Sequence, residues 1–277
     1  MSKKIKEILQ SLNTSPKKSL GQNFLINEGK INKIVDEICS KNYNSVIEIG
    51  PGLGAITDMI ARLNQYMVCI EKDPTLYSYL KKKYEKNKNF KILNKDILKC
   101  DLKEIGTGSK LFFGNLPYNI GTKIIENFVD NFFSNSFSTG IFMLQKEVGD
   151  KILSDKGSKL YNGFVVKINT FYKVSKIIDL NESDFWPQPK VKSVLIKLEN
   201  RNKIFSKVAD YKEYTNFLFN CFRVRRKKLT NNLHKHYSKE LITKSLRYLK
   251  LKENIRAQDI DYDIFTELFD ILKENKS

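Results

Sequence analysis

Cysteine is scarce and scattered, with Cys39, Cys69, Cys100 and Cys221 the only four in 277 residues. No C-x-x-C pair occurs, which removes the usual redox and zinc spacings and gives no basis for a disulfide framework. A reduced, cytoplasmic setting is expected. Histidine is scarcer still: His234 and His236 stand two apart, cannot share a helix face, and leave no metal site to expect. Nowhere do about eighteen apolar residues run together, so no membrane-spanning helix is expected. The opening stretch MSKKIKEILQSLN, residues 1–13, is broken by Lys and Glu every few positions and reads as a short basic amphipathic helix, not a signal peptide. Acidic residues are also in deficit, 31 against 49 Lys and Arg, leaving a net charge of +18. That balance suits a polyanionic partner such as nucleic acid or an acidic membrane surface. Internal repeats, Pro-rich linkers and long low-complexity tracts are missing as well.

What remains is a chain long enough for one large domain and a smaller one. From Ser45 to about Asn115, short apolar runs alternate with helical periods: SVIEIG, AITDMIARL, YMVCIEK, PTLYSYLKKKY, FKIL, LFFGN. This βαβαβ pattern implies a parallel sheet. In the first helix Ile56, Met59, Ile60 and Leu63 recur at helical spacing and form one apolar face. Asp73 followed by Pro74 can cap and start the second. Beyond lie an expected helix over 122–133, a strand at TGIFML, helices from Gln145 and over 164–171, and two strands, VSKIIDL and VKSVLIKL. The last two lack a crossover helix and suggest an antiparallel edge hairpin. From about Ile204 the signals are helical, so the expected division is 1–203, an α/β domain with a basic N-terminal segment, and 204–277, a small all-helical domain.

The segment EIGPGLGA, Glu48 to Ala55, ends the first strand and opens the first helix. Gly50, Gly52 and Gly54 allow a tight turn and bring backbone N–H groups and a helix N-terminus close to a ligand. Glu71, about twenty residues on at the end of the second strand, can accept hydrogen bonds from both hydroxyls of a ribose. Gly50-x-Gly52-x-x-Ala55 with Glu71 also satisfies a dinucleotide fingerprint, so a nicotinamide or flavin enzyme competes on the loop alone. Glu48 is awkward beside a pyrophosphate but useful beside an ammonium, which favours an adenosine ligand with a cationic amino-acid tail, S-adenosylmethionine. Asp96, after the third strand, is a candidate acceptor for the adenine amine.

At the end of the fourth strand stands Asn115-Leu116-Pro117-Tyr118. An aromatic amine is a poor nucleophile because its lone pair is delocalised. The Asn115 side-chain oxygen and the Leu116 carbonyl could accept its two hydrogens, aim the lone pair and stabilise the developing positive charge. Pro117 adds no competing N–H, and Tyr118 offers a face on which a flipped base can stack. Phe185, in the loop FWPQPKVKS, could close the other face. The C-terminal stretch CFRVRRKKLTNNLHKH holds Arg223, Arg225, Arg226, Lys227 and Lys228 with no acid among them, the best phosphate-binding candidate in the chain. The stretch YLKKKYEKNKNFK is nearly as basic and reads as a solvated helix face, with RNA contact an equal alternative.

These motifs in order resemble the small-subunit ribosomal RNA adenine N6,N6-dimethyltransferase family (KsgA type). The resemblance runs from about Lys17 to the C-terminal helices through LGQNFL, EIGPGLG, IEKD, NKDIL, GNLPYNI, MLQKEV, FWPQPKVKS and FRVRRKKLTNNL. It implies a Rossmann-like S-adenosylmethionine-dependent methyltransferase sheet with a small all-helical C-terminal domain. The implied activity is dimethylation of two adjacent adenines in the 3′-terminal hairpin of small-subunit (16S) rRNA. Residue by residue, the pattern puts Gln22, Asn23 and Leu25 beside the cofactor, Gly50 at its methionine part, Glu71 at its ribose and Asp96 at its adenine. Asn115 falls between cofactor and target amine, with Tyr118 and Phe185 on the base. The implied partners are small-subunit rRNA and the immature small ribosomal subunit, not DNA or a membrane, and the expected state is a monomer. Three places depart from the pattern: Gly121, the run Tyr161–Val166, and Trp186. Two other readings stay open, an adenine methylase acting on large-subunit rRNA and a non-catalytic ribosome assembly or RNA-binding factor.

Overall fold

The computed structural model describes residues 2–63, 65–133, 138–201 and 208–275. Its elements in chain order are α1 (Ser2–Ser11), β1 (Phe24–Leu25), α2 (Glu28–Ile38), β2 (Ser45–Ile49), α3 (Thr57–Ala61), β3 (Met67–Glu71), α4 (Pro74–Lys83), β4 (Phe90–Asn94) and β5 (Lys110–Asn115). There follow α5 (Gly121–Phe132), β6 (Ser138–Gln145), α6 (Lys146–Ile152), α7 (Gly163–Phe171), β7 (Tyr172–Leu180), β8 (Phe185–Trp186) and β9 (Ser193–Asn200). The C-terminal helices are α8 (Val208–Cys221), α9 (Leu229–Leu233), α10 (Lys239–Tyr248) and α11 (Tyr262–Glu274).

Seven strands form one sheet in the order β4-β3-β2-β5-β6-β9-β7. The first five run parallel, and β9 pairs antiparallel with β6. All residues of β2 and β3 are buried, as helix-covered parallel strands require, whereas the edge strand β4 is half exposed. On α2, Ile31, Ile34, Val35 and Ile38 recur at helical spacing and join the core. The Asp73 side chain accepts the Thr75 N–H and Pro74 opens α4, as expected from the sequence. The helix after the glycine loop is shorter than the periodicity implies. The loop turns through Ile56, α3 spans only five residues, and Leu63 lies beyond it, 57% exposed. The two late apolar runs are neighbours at the sheet edge, with β9 inserted between β6 and β7.

The chain divides into two compact units, 1–149 with 175–200, and 150–174 with 201–277. The expected boundary at 203/204 lies outside the described residues. Residues 150–174, expected in the first domain, group with the second unit, because α7 packs against α8 and α11. In that unit Tyr214 is fully buried, its hydroxyl 2.8 Å from Thr170 Oγ1 and its ring 5.4 Å from Phe269. The run Tyr161–Val166 acquires a structural purpose there: Asn162 caps α7 by accepting from the Phe164 and Val165 N–H groups, and the Tyr161 hydroxyl donates to the Ile260 carbonyl at 3.0 Å.

Candidate active site

In an open parallel sheet ligands collect beyond the carboxyl ends of strands, where the strand order changes direction. Here that place lies between β2, which ends at Ile49, and β5, which ends at Asn115. Two cavities open there, of about 710 and 140 Å³. They share Asn23, Phe24, Gly50, Gly52 and Asn115 as walls. The larger adds Leu25 and Glu48; the smaller adds Gln22, Glu71 and Asp96. Every residue expected at the cofactor therefore lines one cavity or the other.

Gly50 has φ +67°, and a side chain built on it would point into open space, so the loop leaves a cradle at the cavity wall. Glu48 sits beneath, 3% exposed, its Oε2 accepting from Thr57 Oγ1 at 2.6 Å and from the Cys69 thiol at 3.8 Å. Burial pushes its carboxyl up to about 8, against those hydrogen bonds, and the negative charges of Glu71 and Asp58 add to the rise. Glu71, 5% exposed, accepts from the N–H groups of Asp73 at 2.8 Å and Gly52 at 3.3 Å. Burial raises it to about 7 despite those donors. Asp96 caps a short turn through the Leu98 N–H and pairs with Lys72 at 2.8 Å. The Lys72 hydrogen bond holds its carboxyl below the usual range. A buried acid in the larger cavity and two acids in the smaller make an acceptor set that fits an ammonium, a ribose and an adenine amine.

Asn115 donates its Nδ2 to the Asn23 carbonyl at 2.8 Å. Since a carbonyl only accepts, this contact fixes which end of the amide faces away, and Asn115 Oδ1 is left turned from Asn23. Leu116 is buried and donates its N–H to the Met143 carbonyl at 3.1 Å. The half-buried Tyr118 is tethered through its hydroxyl, 2.8 Å from Ser193 Oγ. Phe185 differs from expectation. The β1–β8 pairing sets it opposite Leu25, so it is 2% exposed and packs in the core, where it lines neither cavity.

The ribosomal RNA adenine dimethylase family model matches residues 13–274. The chain belongs to that family. "Ribosomal RNA small subunit methyltransferase A" of Mycoplasmoides gallisepticum is 37% identical, covering 99% of each chain. The protein of that name from Ureaplasma urealyticum is 36% identical, over 99% of this chain and 98% of that one. Among solved structures, a dimethyladenosine transferase from Plasmodium falciparum superposes with TM-score 0.74 at 24% identity, covering 88% of this chain and 95% of that one. The 23S rRNA methyltransferase ErmE superposes with TM-score 0.69 at 21% identity, covering 91% and 100%. This dimethylase family member thus has a Rossmann-like methyltransferase sheet with helices at its C-terminal end.

Its basic stretch divides into two kinds of residue. Arg223, Arg226, Lys227 and Lys228 are exposed. Arg225, expected beside them at the RNA, instead spends its guanidinium on the backbone: Nη1 donates to the carbonyls of Lys159 at 2.6 Å and Tyr161 at 3.2 Å, and Nη2 to that of Ser158 at 2.8 Å. In the second basic run, Lys83 is committed to Asp58 at 2.7 Å. No group of three His, Cys, Asp or Glu among the described residues could hold a metal ion.

Several site features of the dimethylase escaped the sequence reading. Thr57 and Cys69, which partner Glu48, carried no motif. Asp73 was legible only as a helix cap, yet it also receives Lys17 and Gln22. The α1 helix lines the larger cavity through Lys4, Ile5 and Ile8, and its Lys6 lies 5.6 Å over the Trp186 ring. Trp186, a departure from the family pattern, packs with Ile5, Leu9, Phe24 and Leu53, so its bulk seats that helix.

Proposed function

We propose that this chain catalyses S-adenosylmethionine-dependent N6,N6-dimethylation of two adjacent adenines in the 3′-terminal hairpin of small-subunit rRNA. The observation that carries the proposal is Asn115, which lines both cavities and commits its amino end to the Asn23 carbonyl. Glu71 would hold the ribose of the cofactor, Asp96 its adenine amine, and Gly50, Gly52 and Glu48 its amino-acid arm, with Asn23 and Leu25 alongside. When bound, the cofactor supplies an electrophilic methyl group.

Asn115 Oδ1 and the Leu116 carbonyl accept the hydrogens of the target amine, which turns its lone pair toward the methyl and favours the positive charge as it forms. No strong general base is needed, because a methylated aryl ammonium loses its proton readily to water. Tyr118, held by Ser193, presents its ring to the flipped base. Phe185 supports Leu25 from the core. Arg223, Arg226, Lys227 and Lys228 neutralise phosphates and position the RNA without reading its sequence. The second unit thereby serves as an RNA-binding domain, and a cytoplasmic monomer acts on the immature small ribosomal subunit. Among the described residues no helix is long and apolar enough to cross a membrane.

The test is methyl transfer from labelled S-adenosylmethionine to unmethylated small-subunit particles, beside naked rRNA, large subunits and duplex DNA. N6,N6-dimethyladenosine in the small-subunit terminal hairpin is the expected product. Label on large subunits or DNA alone would refute the substrate, and particle binding without label would refute catalysis.

A further inference from the structure

Gln22 lines the smaller cavity, yet both ends of its side chain are already engaged inside the protein. Its Oε1 accepts the Lys17 N–H at 2.8 Å and its Nε2 donates to Asp73 Oδ2 at 2.9 Å. Asp73 is 1% exposed and gathers further groups. Lys17 Nζ lies 2.9 Å from its carboxylate, the Thr75 N–H donates to its Oδ1 at 3.0 Å, and its own N–H donates to Glu71 Oε1 at 2.8 Å. One buried residue thus ties the segment before β1 to the turn after β3 and touches the Glu71 carboxyl directly.

The same segment reaches the methyl-acceptor side of the site. Gly21, at φ +64°, passes so close to the Asn-Leu-Pro-Tyr turn that a side chain there would lie 3.1 Å from Pro117 Cβ. Two residues on, the Asn23 carbonyl receives the Asn115 amide. A terminal amide is nearly symmetric in shape, and only its hydrogen-bond partners decide which way it points. If Asn23 shifts, Asn115 loses the contact that turns its oxygen away from the Asn23 side, whereas the catalytic residue itself is unchanged.

We propose that Gln22 and Asp73 are positioning residues. They form a clasp that sets the Asn115 amide through residues 21–23 and the Glu71 carboxyl through the turn that carries Asp73, and Gln22 is not itself a ligand of the cofactor. The inference rests on the roles proposed for Asn115 and Glu71. One end of the clasp holds the strap before β1 and the other the turn after β3, so loosening it misorients the acceptor amide and frees the turn whose backbone N–H holds the ribose acid. Its signature is a loss of turnover larger than the loss of RNA affinity, together with weaker cofactor binding.

The test compares Gln22→Ala, Gln22→Glu and Asp73→Asn with the exchanged pair Gln22→Glu/Asp73→Asn. The first single variant removes the Nε2 donor, the second sets carboxylate against carboxylate, and the third sets amide against amide. The pair restores the hydrogen bond with donor and acceptor reversed. In the pair, position 22 can still accept the Lys17 N–H, position 73 can still cap through Oδ1 and accept Lys17 Nζ there, and the negative charge facing that ammonium moves to position 22. Each single variant is expected to lose between about ten- and a hundredfold in kcat, with KM for RNA changed less than about threefold. Affinity for S-adenosylhomocysteine, read by calorimetry, and hydrogen-exchange protection of residues 17–25 are expected to fall in the singles. All three quantities should recover in the exchanged pair. A merely structural role would lower the unfolding temperature without that reciprocal recovery of kcat. Singles with wild-type turnover and protection, or an exchanged pair no better than its worse single, would overturn the clasp. Should the wild type fail to methylate rRNA, the functional reading fails on that ground alone, and ligand affinity with exchange protection still decides the clasp.

Discussion

Replacing Glu48 by Gln is expected to stabilise the free protein in a strongly pH-dependent way. The carboxyl has an ordinary value of 4.5 and is pushed by burial up to about 8. The folded chain therefore holds this proton more tightly than the unfolded one. Below about pH 4.5 both states are protonated and the site imposes no penalty. Above that, the unfolded chain gives up the proton first, so folding loses about 1.4 kcal/mol for each pH unit climbed, until the folded carboxyl ionises near pH 8. The loss reaches at most about 4 kcal/mol near pH 7.5 and about 5 kcal/mol beyond. A Gln at this position carries no such penalty, and its oxygen can still accept from Thr57. The assay is the difference in unfolding free energy between Glu48→Gln and wild type from about pH 5 to pH 8, in which carboxylates common to both largely cancel. The difference should be small at the acid end and grow steadily in favour of the variant. A difference flat in pH would mean that Glu48 stays ionised in the folded chain even without a ligand, and would refute the rise that burial imposes on this acid.

Asn115→Ala should lower methyl transfer by about a hundredfold or more, while affinity for S-adenosylmethionine changes little; single-turnover kinetics and calorimetry separate the two, and equal loss of both would undo the division of roles. Cofactor affinity should weaken as pH falls through about 7, because Glu71 in the role proposed for it must be ionised to accept two ribose hydroxyls and burial raises it to that value; titrations at several pH values check the slope. Arg226→Ala with Lys227→Ala should reduce the slope of log affinity for RNA against log salt by about 1.5, and an unchanged slope would move the RNA surface elsewhere. Arg225→Ala should act differently, costing about 3 kcal/mol of stability through its lost backbone hydrogen bonds and raising hydrogen exchange at residues 158–161.

The parallel sheet was legible because its strands are short apolar runs separated by helical periods, and because Asp73-Pro74 announces the second helix. The cavity walls were legible for a related reason: Gly50, Glu71, Asp96 and Asn115 all follow strand ends, and strand ends in this topology converge. Residues that act through contacts distant in sequence were not. Gln22 meets Asp73 across 51 positions, and Arg225 meets Ser158 across 67. No local pattern encodes either meeting. Phe185 misled for the opposite reason, since an aromatic beside prolines looks like a surface loop until the pairing with Leu25 draws it inward. Residues 150–174 belonged by position to the first domain, but α7 finds its apolar partners among helices encoded after residue 207.

That interleaving limits how the protein can be divided. The chain leaves its first unit at residue 149, returns at 175 to add β9 to the sheet, and only then supplies α8 to α11. No single cut separates the two units. A polypeptide ended near residue 200 would hold a complete sheet but carry α7 stripped of its partners, with Val165, Val166, Ile168 and Phe171 exposed to water. During synthesis the same helix must wait for the last quarter of the chain. The catalytic sheet can thus close while an apolar segment stays uncovered, and nascent chains would be most prone to aggregate in that interval.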